Sequence, residues 1–236
     1  MPDVPDASNA PPRLLVVGAT GVLGGAAADA LARRGDAIFL AGRDRERLAS
    51  AARRLKAGSA PCDAYDLDGM AALPRLAAEA MGGLDGVLVA IGAVAFGPAE
   101  ETSAAVTEHL FAVNTLAPIA VLSAALPLLH PPGTLAATTG VVAVRPQPRM
   151  AAYSASKAAL SAWLTAVAAE RRRTGLSVAD LHLPHTDTGL AGRAVAGSPP
   201  PLPRAAPLEE TVDRIVAAFH PEPSAGGPSA GGPPGT

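Results

Sequence analysis

A short apolar run that ends in a cluster of glycines is the feature that most constrains how this chain can fold. Residues 14–17 are all Leu or Val, residues 18–25 contain four glycines, and an alanine-rich stretch follows as far as Arg34. This order predicts a buried strand, a tight turn and a helix. Glycine lets the backbone turn sharply and approach a phosphate, and the free amide groups and positive dipole end of the helix attract an anion. The pattern therefore predicts a phosphate-binding turn.

The spacing of the glycines leaves an alternative open. Gly18, Gly21 and Gly24 follow G-x-x-G-x-x-G, whereas the usual dinucleotide-binding fingerprint is G-x-G-x-x-G. The alternative is close packing of the helix on the strand through glycine, with no ligand. Because a strand precedes the turn and a helix follows it, the sequence favours the ligand-binding interpretation.

The same strand and helix alternation continues along the chain. Further strands are predicted at 37–41, 59–62, 87–91, 134–137 and 176–183, and helices at 44–56, 69–81, 149–173 and 208–219, with a helical pair at 102–114 and on to 130. Such alternation predicts an α/β fold of the Rossmann type, a doubly wound parallel sheet with helices on both faces. A ligand would bind at the carboxyl ends of the strands.

Length and composition fit one domain. The 236 residues are 49% hydrophobic with a net charge of −2, which excludes global disorder and gives no bulk charge to attract nucleic acid. We expect a flexible leader at 1–12, a single domain at 13–220 and a disordered tail at 221–236, because both ends are rich in proline and small residues.

The cysteine, the histidines and the longest apolar stretch indicate which kinds of site and which location to expect. The single cysteine, Cys62, excludes an internal disulfide and fits a reducing compartment, so we expect a cytoplasmic protein. The five histidines are scattered, and no metal site is predicted. Residues 116–129 are apolar but contain two prolines and are too short to cross a bilayer, so they predict a buried helix and no membrane association.

Tyr153 and Lys157 form the pair with the clearest chemistry. Residues i and i+4 lie on one face of a helix, so the phenol and the ammonium can meet in one small volume. A neighbouring positive charge lowers the pKa of a phenol towards neutrality and would make Tyr153 a general acid. An ordinary surface pair is the alternative, but the chain has only two tyrosines and two lysines.

Arg43 and Asn114 are the next candidates. An acidic residue after the second strand would bind the adenosine ribose, whereas Arg43 stands there and suits a 2′-phosphate, which favours NADP over NAD. The alternative is a solvated arginine. Asn114 lies in apolar surroundings and needs hydrogen-bond partners, which gives it either a structural role or a place in a proton relay.

With the glycine turn, Arg43, Asp63, Asn114 and the Tyr153/Lys157 pair in this order, the chain resembles the short-chain dehydrogenase/reductase family over residues 14–219. The resemblance implies a sheet of order 3-2-1-4-5-6 with NAD(P) across its carboxyl edge. It implies that Tyr153 protonates a carbonyl oxygen, that Lys157 holds the nicotinamide ribose and lowers the pKa of Tyr153, and that Asn114 anchors a water relay.

The resemblance also implies a set of cofactor contacts, in which Asp63 faces adenine and Thr188 faces the nicotinamide amide. The residues expected to bind the cofactor are Gly18, Thr20, Gly21, Val22, Leu23, Gly24, Arg43, Asp63, Ala64, Gly92, Tyr153, Lys157, Thr186 and Thr188.

Four departures from the family pattern accompany the resemblance. The catalytic serine falls on Gly140, so Thr139 is expected to replace it if the loop shifts. Residues 89–92 are Val-Ala-Ile-Gly in place of Asn-Asn-Ala-Gly, and Leu183-Pro184 stands in place of Pro-Gly. No seventh strand is predicted. Because that strand commonly helps to build a tetramer, we expect a homodimer through the helices at 114–130 and 150–173.

These expectations combine into an NADPH-dependent reductase of a small to medium, largely apolar ketone or aldehyde. Its pocket would be formed by residues 93–98, 141–150 and 189–207. The alternative keeps the fold without net redox chemistry, as a cyclase, a dehydratase, an isomerase or an NADPH-binding protein without turnover. Gly140 and the missing Asn-Asn motivate that alternative.

Overall fold

Six parallel strands form one sheet in the computed structural model, which describes residues 10–221. The strand order is β3-β2-β1-β4-β5-β6, and each neighbouring pair runs parallel. This confirms the predicted Rossmann-type fold and its order 3-2-1-4-5-6. The strands are Arg13–Val17 (β1), Ala37–Gly42 (β2), Gly58–Pro61 (β3), Leu84–Val89 (β4), Leu129–Thr138 (β5) and Leu176–Leu181 (β6).

Six of the seven α-helices in the described residues cover the two faces of the sheet. Helices α1, α2 and α7 bury apolar side chains against one face, and α3, α5 and α6 bury theirs against the other. The helices are Val22–Arg33 (α1), Arg45–Leu55 (α2), Leu67–Met81 (α3), Ala104–Phe111 (α4), Ala117–Ala125 (α5), Ala151–Arg171 (α6) and Leu208–Phe219 (α7).

Strand β1 shows why the sequence fixes this layered arrangement. Leu15 and Val17 point to the core under α3, α5 and α6, while Leu14 and Val16 point to the core under α1, α2 and α7. Each is at most 2% exposed. Burying a side chain of this kind contributes about 1.5–3 kcal/mol, so a strand covered on both faces is apolar at every position and its register is fixed.

The carboxyl ends of the strands meet at one edge of the sheet. The chain adds β2 and β3 on one side of β1 and then returns to add β4, β5 and β6 on the other side. The boundary between β1 and β4 is therefore the topological switch point, at which ligands bind in this fold. The glycine turn follows β1, Arg43 follows β2, Gly92 lies just after β4 and Thr139 directly follows β5. The fold therefore brings the predicted site segments to a common edge.

The helical pair predicted at 102–114 and on to 130 is present, but its second helix ends earlier than predicted. Helix α4 passes through a π-helical segment, Ala112–Leu116, into α5, which ends at Ala125, and β5 begins at Leu129. Pro127 has no amide hydrogen with which to continue the helical hydrogen bonds, which accounts for the early end. By length and composition alone, the helical run Ala104–Ala125 is apolar enough to cross a membrane, with a mean hydropathy of 1.4. Helices in protein cores also meet that criterion, and Leu110 and Leu122 of this run are fully buried.

Helix α7 is the last element in the described part of the chain. It spans Leu208–Phe219, as the sequence predicted. The predicted leader falls almost entirely on residues outside the described range, and the predicted tail beyond Pro221 lies outside it as well.

Candidate active site

The turn after β1 leaves the amino end of α1 open to an anion. Gly21 is the N-cap of α1 and provides no side-chain hydrogen bond, and the first turn contains no acidic residue. Helices α2 and α3 differ, because the carboxylates of Asp44 and Asp66 accept hydrogen bonds from their first-turn amides. The amide groups at 22–24 are therefore available to a phosphate, which also gains from the helix dipole.

The glycines of this turn are required by close packing as well. Gly18 has a φ of +96°, and a Cβ there would lie 2.5 Å from the Ala90 carbonyl oxygen. A Cβ on Gly24 would lie 2.4 Å from the Gly18 carbonyl oxygen. The close packing of α1 on β1 is therefore present, and it brings the uncapped helix end to the edge of the sheet.

The ends of β2 and β3 form a basic and acidic cleft beside this turn. Arg43, Arg45, Cys62, Asp63 and Asp66 border an open cleft of about 300 Å³. The Asp63 carboxylate accepts a hydrogen bond of 3.0 Å from the amide of Tyr65 and remains exposed.

This cleft suits an adenosine with a phosphate on its ribose. The guanidinium of Arg43 is exposed at its border, where it can reach an anion. Burial raises the pKa of the Cys62 thiol to about 11, with Asp63 adding to the effect, so the sulfur stays uncharged at neutral pH. Ala64 is half-buried directly after Asp63.

Lys157 is buried at the edge of the sheet. Its side chain is 4% exposed, and Nζ donates to the Thr138 carbonyl oxygen at 2.9 Å and to the Ile91 carbonyl oxygen at 3.5 Å. These carbonyls follow β4 and end β5, so the ammonium lies between the two strands at the switch edge. Burial lowers the pKa of Lys157 to about 8, and the negative charge of Asp180 opposes that shift. This geometry excludes a solvated surface pair.

Tyr153 differs from the expectation in its pKa. Burial raises the pKa of its phenol to about 12, whereas the sequence predicted that Lys157 would lower it. The reason is that the Lys157 ammonium donates to the two backbone carbonyls, and within residues 10–221 no hydrogen bond joins it to Tyr153. The phenol therefore stays protonated at neutral pH and is a weaker acid than a free phenol.

Asn114 is fully buried in the π-helical segment and its side chain is committed to protein groups. Oδ1 accepts from the Ala93 amide at 2.9 Å, and Nδ2 donates to the Ala93 carbonyl at 2.9 Å and to Ser156 Oγ at 3.0 Å. The adjacent Thr115 Oγ1 donates to the Ser156 carbonyl at 2.7 Å. These contacts favour the structural role for the amide, in which it fixes the segment after β4 to α6.

The loops predicted to line a substrate pocket converge over Tyr153. Phe96 donates its amide to the Ala196 carbonyl at 2.9 Å, and Val195 donates to the Val94 carbonyl at 2.8 Å. These hydrogen bonds fasten the segment after β6 to the segment after β4. The apolar side chains packed there with Tyr153 are Val94, Phe96, Met150, Val142, Leu190, Ala191 and Ala194.

The two threonines after β6 lie at the same edge. Thr186 Oγ1 donates to the Pro184 carbonyl at 3.1 Å and shares a hydrogen bond of 2.9 Å with Thr211 of α7. The Thr188 carbonyl accepts from Arg193 at 3.3 Å, and no side-chain hydrogen bond occupies the Thr188 hydroxyl among the described residues. Thr186 therefore holds the loop to α7, and Thr188 is the freer of the two.

A comparison with known families covers most of the chain. The model of the short chain dehydrogenases matches residues 13–198. The chain belongs to this family. It is a family of oxidoreductases, and the match includes the glycine turn, Asn114 and the Tyr153/Lys157 pair.

Solved structures share the fold of this short-chain dehydrogenase. A short-chain oxidoreductase from Thermus thermophilus is 32% identical, with a TM-score of 0.75, over 90% of this chain and 98% of that one. A short chain dehydrogenase from Burkholderia cenocepacia in complex with NADP is 24% identical, with a TM-score of 0.78, over 87% and 89%. An actinorhodin polyketide ketoreductase solved with NADPH is 20% identical, with a TM-score of 0.79, over 89% and 91%. None of the curated protein sequences compared with the chain matches it significantly.

The hydroxyl of Thr139, a predicted catalytic residue, does not point to the expected serine position. It is 1% exposed, and its hydroxyl donates to the carboxylate of Asp180. The sequence predicted that this hydroxyl would replace the serine missing at Gly140. The loop has not shifted to allow that, because Thr139 continues the alternation of β5 and faces the side covered by α6, and Gly140 has a φ of +82°.

Three polar residues around Thr139 were missed by the sequence analysis. Asp180 of β6 accepts hydrogen bonds from Ser161 Oγ at 2.5 Å and from Thr139, and His182 Nε2 lies 2.9 Å from its carboxylate. A signal was present in the sequence. Asp180 and His182 alternate in an otherwise apolar strand segment, and Ser161 lies four residues after Lys157, so all three are placed on the faces where α6 packs on β6.

Replacing Asn114 with alanine is expected to destabilise the fold. The Ala93 amide and carbonyl would lose their partners in a buried site, which lowers the free energy of unfolding by roughly 2–4 kcal/mol. Chemical denaturation measures the loss. Thr107→Ala on α4 is the matched control, since it removes only a local bond to the Ser103 carbonyl and should cost about 0.5 kcal/mol or less. Equal losses in the two variants would contradict the role of Asn114.

Proposed function

We propose that this chain is an NADPH-dependent oxidoreductase that reduces a ketone or an aldehyde to an alcohol, with Tyr153 as the general acid. The observation that carries the proposal is the buried Lys157 ammonium, one helical turn from Tyr153 and at the same sheet edge as the open end of α1. Two similarly folded proteins, the Burkholderia dehydrogenase and the actinorhodin ketoreductase, were solved with NADP and NADPH. Their ligands support the choice of cofactor class.

The residues present fit a dinucleotide with a 2′-phosphate. The amides at 22–24 would hold the pyrophosphate, Arg43 the 2′-phosphate, Asp63 and Ala64 the adenine, and Lys157 the nicotinamide ribose. Gly92 lies where a Cβ would meet Lys157 Nζ at 3.3 Å, so glycine keeps backbone and ligand space open there. When bound, the reduced cofactor supplies the hydride.

Tyr153 then has one task, the delivery of a proton to the substrate oxygen. Its phenol is protonated at neutral pH and lies among apolar side chains, where water is excluded and each remaining hydrogen bond is strengthened. The family serine has no counterpart here, since Gly140 has no hydroxyl and Thr139 donates to Asp180.

The missing hydroxyl bears on the class of substrate. Loss of one oxyanion donor costs about 10²–10³ in rate in comparable sites, so intrinsically reactive carbonyls such as aldehydes and activated ketones suit this site best. The apolar lining from Val94, Phe96, Met150 and Leu190 fits a medium-sized hydrocarbon or aromatic group beside the carbonyl.

A second candidate function rests on the same missing hydroxyl at Gly140. If the chemistry needs the serine hydroxyl, the protein binds NADPH without net redox turnover, as a cyclase, a dehydratase, an isomerase or a binding protein. Mixing the protein with NADPH and a panel of aldehydes and ketones separates the two functions. Loss of nicotinamide absorbance supports the reductase, whereas tight NADPH binding with no oxidation across the panel supports the second candidate.

The variant Tyr153→Phe tests the general acid. It removes the hydroxyl and keeps the ring, so turnover of the best carbonyl should fall by at least about 10³-fold while NADPH affinity, measured by fluorescence, stays within about twofold. Tyr65→Phe is the matched control, because Tyr65 is the other tyrosine and is exposed. Turnover of Tyr153→Phe within a few-fold of the parent would refute the role.

The variant Arg43→Ala tests the cofactor preference. Removing the guanidinium should weaken NADPH binding by about tenfold or more and leave NADH binding nearly unchanged, because only NADPH carries the 2′-phosphate. Titration of both nucleotides measures the difference. Arg53→Ala on the far turn of α2 provides the control for a general loss of positive charge. An equal effect on both nucleotides would show that Arg43 does not read the phosphate.

A homodimer through the helical segments 114–130 and 150–173 is also proposed. Leu116 supports it, because this leucine is 49% exposed in the middle of an apolar helical run. Sedimentation should give a dimer for the parent and a monomer for Leu116→Asp. Leu76→Asp on α3 is the control, with 39% exposure and a position outside the proposed interface, and should remain dimeric. A tetrameric parent would contradict the proposal.

A further inference from the structure

A compact polar cluster lies between α6 and β6, and the proposed chemistry does not account for it. Asp180 of β6 accepts hydrogen bonds from Thr139 directly after β5 and from Ser161 of α6, and the ring of His182 just after β6 lies in contact with its carboxylate. The Asp180 side chain is 16% exposed and that of His182 is 37% exposed. A carboxylate in this position needs such donors, because burying a charge without partners is costly.

The cluster is connected to Lys157 through both of the elements that hold it. The Lys157 ammonium donates to the carbonyl of Thr138, and the next residue, Thr139, is fastened to Asp180. Lys157 and Ser161 lie one turn apart on the same face of α6, and Ser161 is fastened to the other oxygen of Asp180. One carboxylate therefore fixes the carbonyl that receives the ammonium and the helix that carries it.

We propose that Asp180 is a positioning residue for Lys157, which ties the end of β5 to α6 and supplies the negative charge that keeps the ammonium protonated in a buried site. The inference rests on the proposed function, because Lys157 matters through the nicotinamide ribose and Tyr153. It adds a residue that acts from beneath the helix and touches neither cofactor nor substrate.

Asp180 is the charged group that raises the pKa of Lys157. Burial alone lowers the pKa of Lys157, and Asp180 is the one charged neighbour in the described chain that raises it. Tyr153 faces Lys157 from its own helix as a neutral phenol. Just after β6, His182 contacts Asp180. The segment after β4 and the end of β5 present the Ile91 and Thr138 carbonyls to the ammonium. Removal of the Asp180 charge must therefore shift the titration of Lys157 to lower pH.

The sign of the pH dependence follows from that shift. A protonated Lys157 is present below its pKa and is lost as the pH rises through it, and burial sets that pKa at about 8 with Asp180 in place. Without the charge the pKa of Lys157 is lower. At pH 8 the protonated fraction then falls below about half and NADPH binding weakens severalfold, while binding at pH 6 is nearly unchanged.

The test is the pH profile of NADPH affinity, measured by fluorescence between pH 6 and 9.5 for the full chain and for Asp180→Asn, which keeps the shape and removes the charge. The expected result is a midpoint at lower pH in the variant and nearly the same affinity at pH 6. The alkaline limb of kcat/KM should move in the same direction. An unchanged profile in a folded Asp180→Asn protein would overturn the proposal.

Two further variants make the outcome specific. Asp36→Asn is the matched control, because Asp36 is buried and contacts His220 Nε2 at 2.8 Å near the amino end of β2, at the opposite edge of the sheet. It should lower stability without moving the profile. If Asp180→Asn fails to fold, Ser161→Ala removes one hydrogen-bond donor to the carboxylate. This variant should move the pH profile by a smaller amount. An unmoved profile in that variant would also overturn the proposal.

The result also separates this inference from the proposed function. If Tyr153→Phe is inactive and Asp180→Asn has the parental pH profile, only the positioning role fails. If the parent binds no nicotinamide nucleotide at any pH, the proposed function fails and Asp180 is a structural carboxylate.

Discussion

The active edge of this protein depends on one interaction, the donation of the Lys157 ammonium to the backbone carbonyls that follow β4 and end β5. An ammonium removed from water is costly unless polar partners replace the lost hydration. Backbone carbonyls at the ends of two adjacent strands provide those partners only while both strands and α6 keep their relative positions. The rest of the site can be understood as the means of keeping them there.

Two polar side chains fasten α6 to the sheet on either side of Lys157. Asn114 binds both backbone groups of Ala93 and reaches Ser156, the residue before the lysine. Asp180 binds Thr139 and reaches Ser161, one turn after it. Each tie joins a segment at the carboxyl edge of the sheet to a small hydroxyl on the helix, so the lysine is held from both directions. Fully satisfied buried networks of this kind define a single arrangement more sharply than apolar packing does.

The sequence was informative wherever local pattern determines structure. Apolar runs broken by glycine and proline placed the strands, α7 and the glycine turn, because burial and turn chemistry act over a few residues. The π-helical segment at 112–116 was not predictable, since it depends on the distant contact between Asn114 and Ala93. The raised pKa of Tyr153 was missed for a similar reason. Spacing on a helix gives the nearness of Lys157, whereas burial by loops far along the chain decides the titration.

The fate of the serine position also follows from backbone geometry. Gly140 has a φ of +82°, a conformation that residues with a Cβ rarely adopt, although space is available because the nearest atom to a Cβ is 3.7 Å away. A hydroxyl therefore cannot return at 140 without strain. Thr139 cannot supply one either while it donates to Asp180, since a hydroxyl has a single hydrogen to give. The position therefore lacks one oxyanion donor, while Asp180 places a carboxylate beneath Lys157. In the proposed reaction, the proton of Tyr153 must then provide the stabilisation that two hydroxyls would otherwise share.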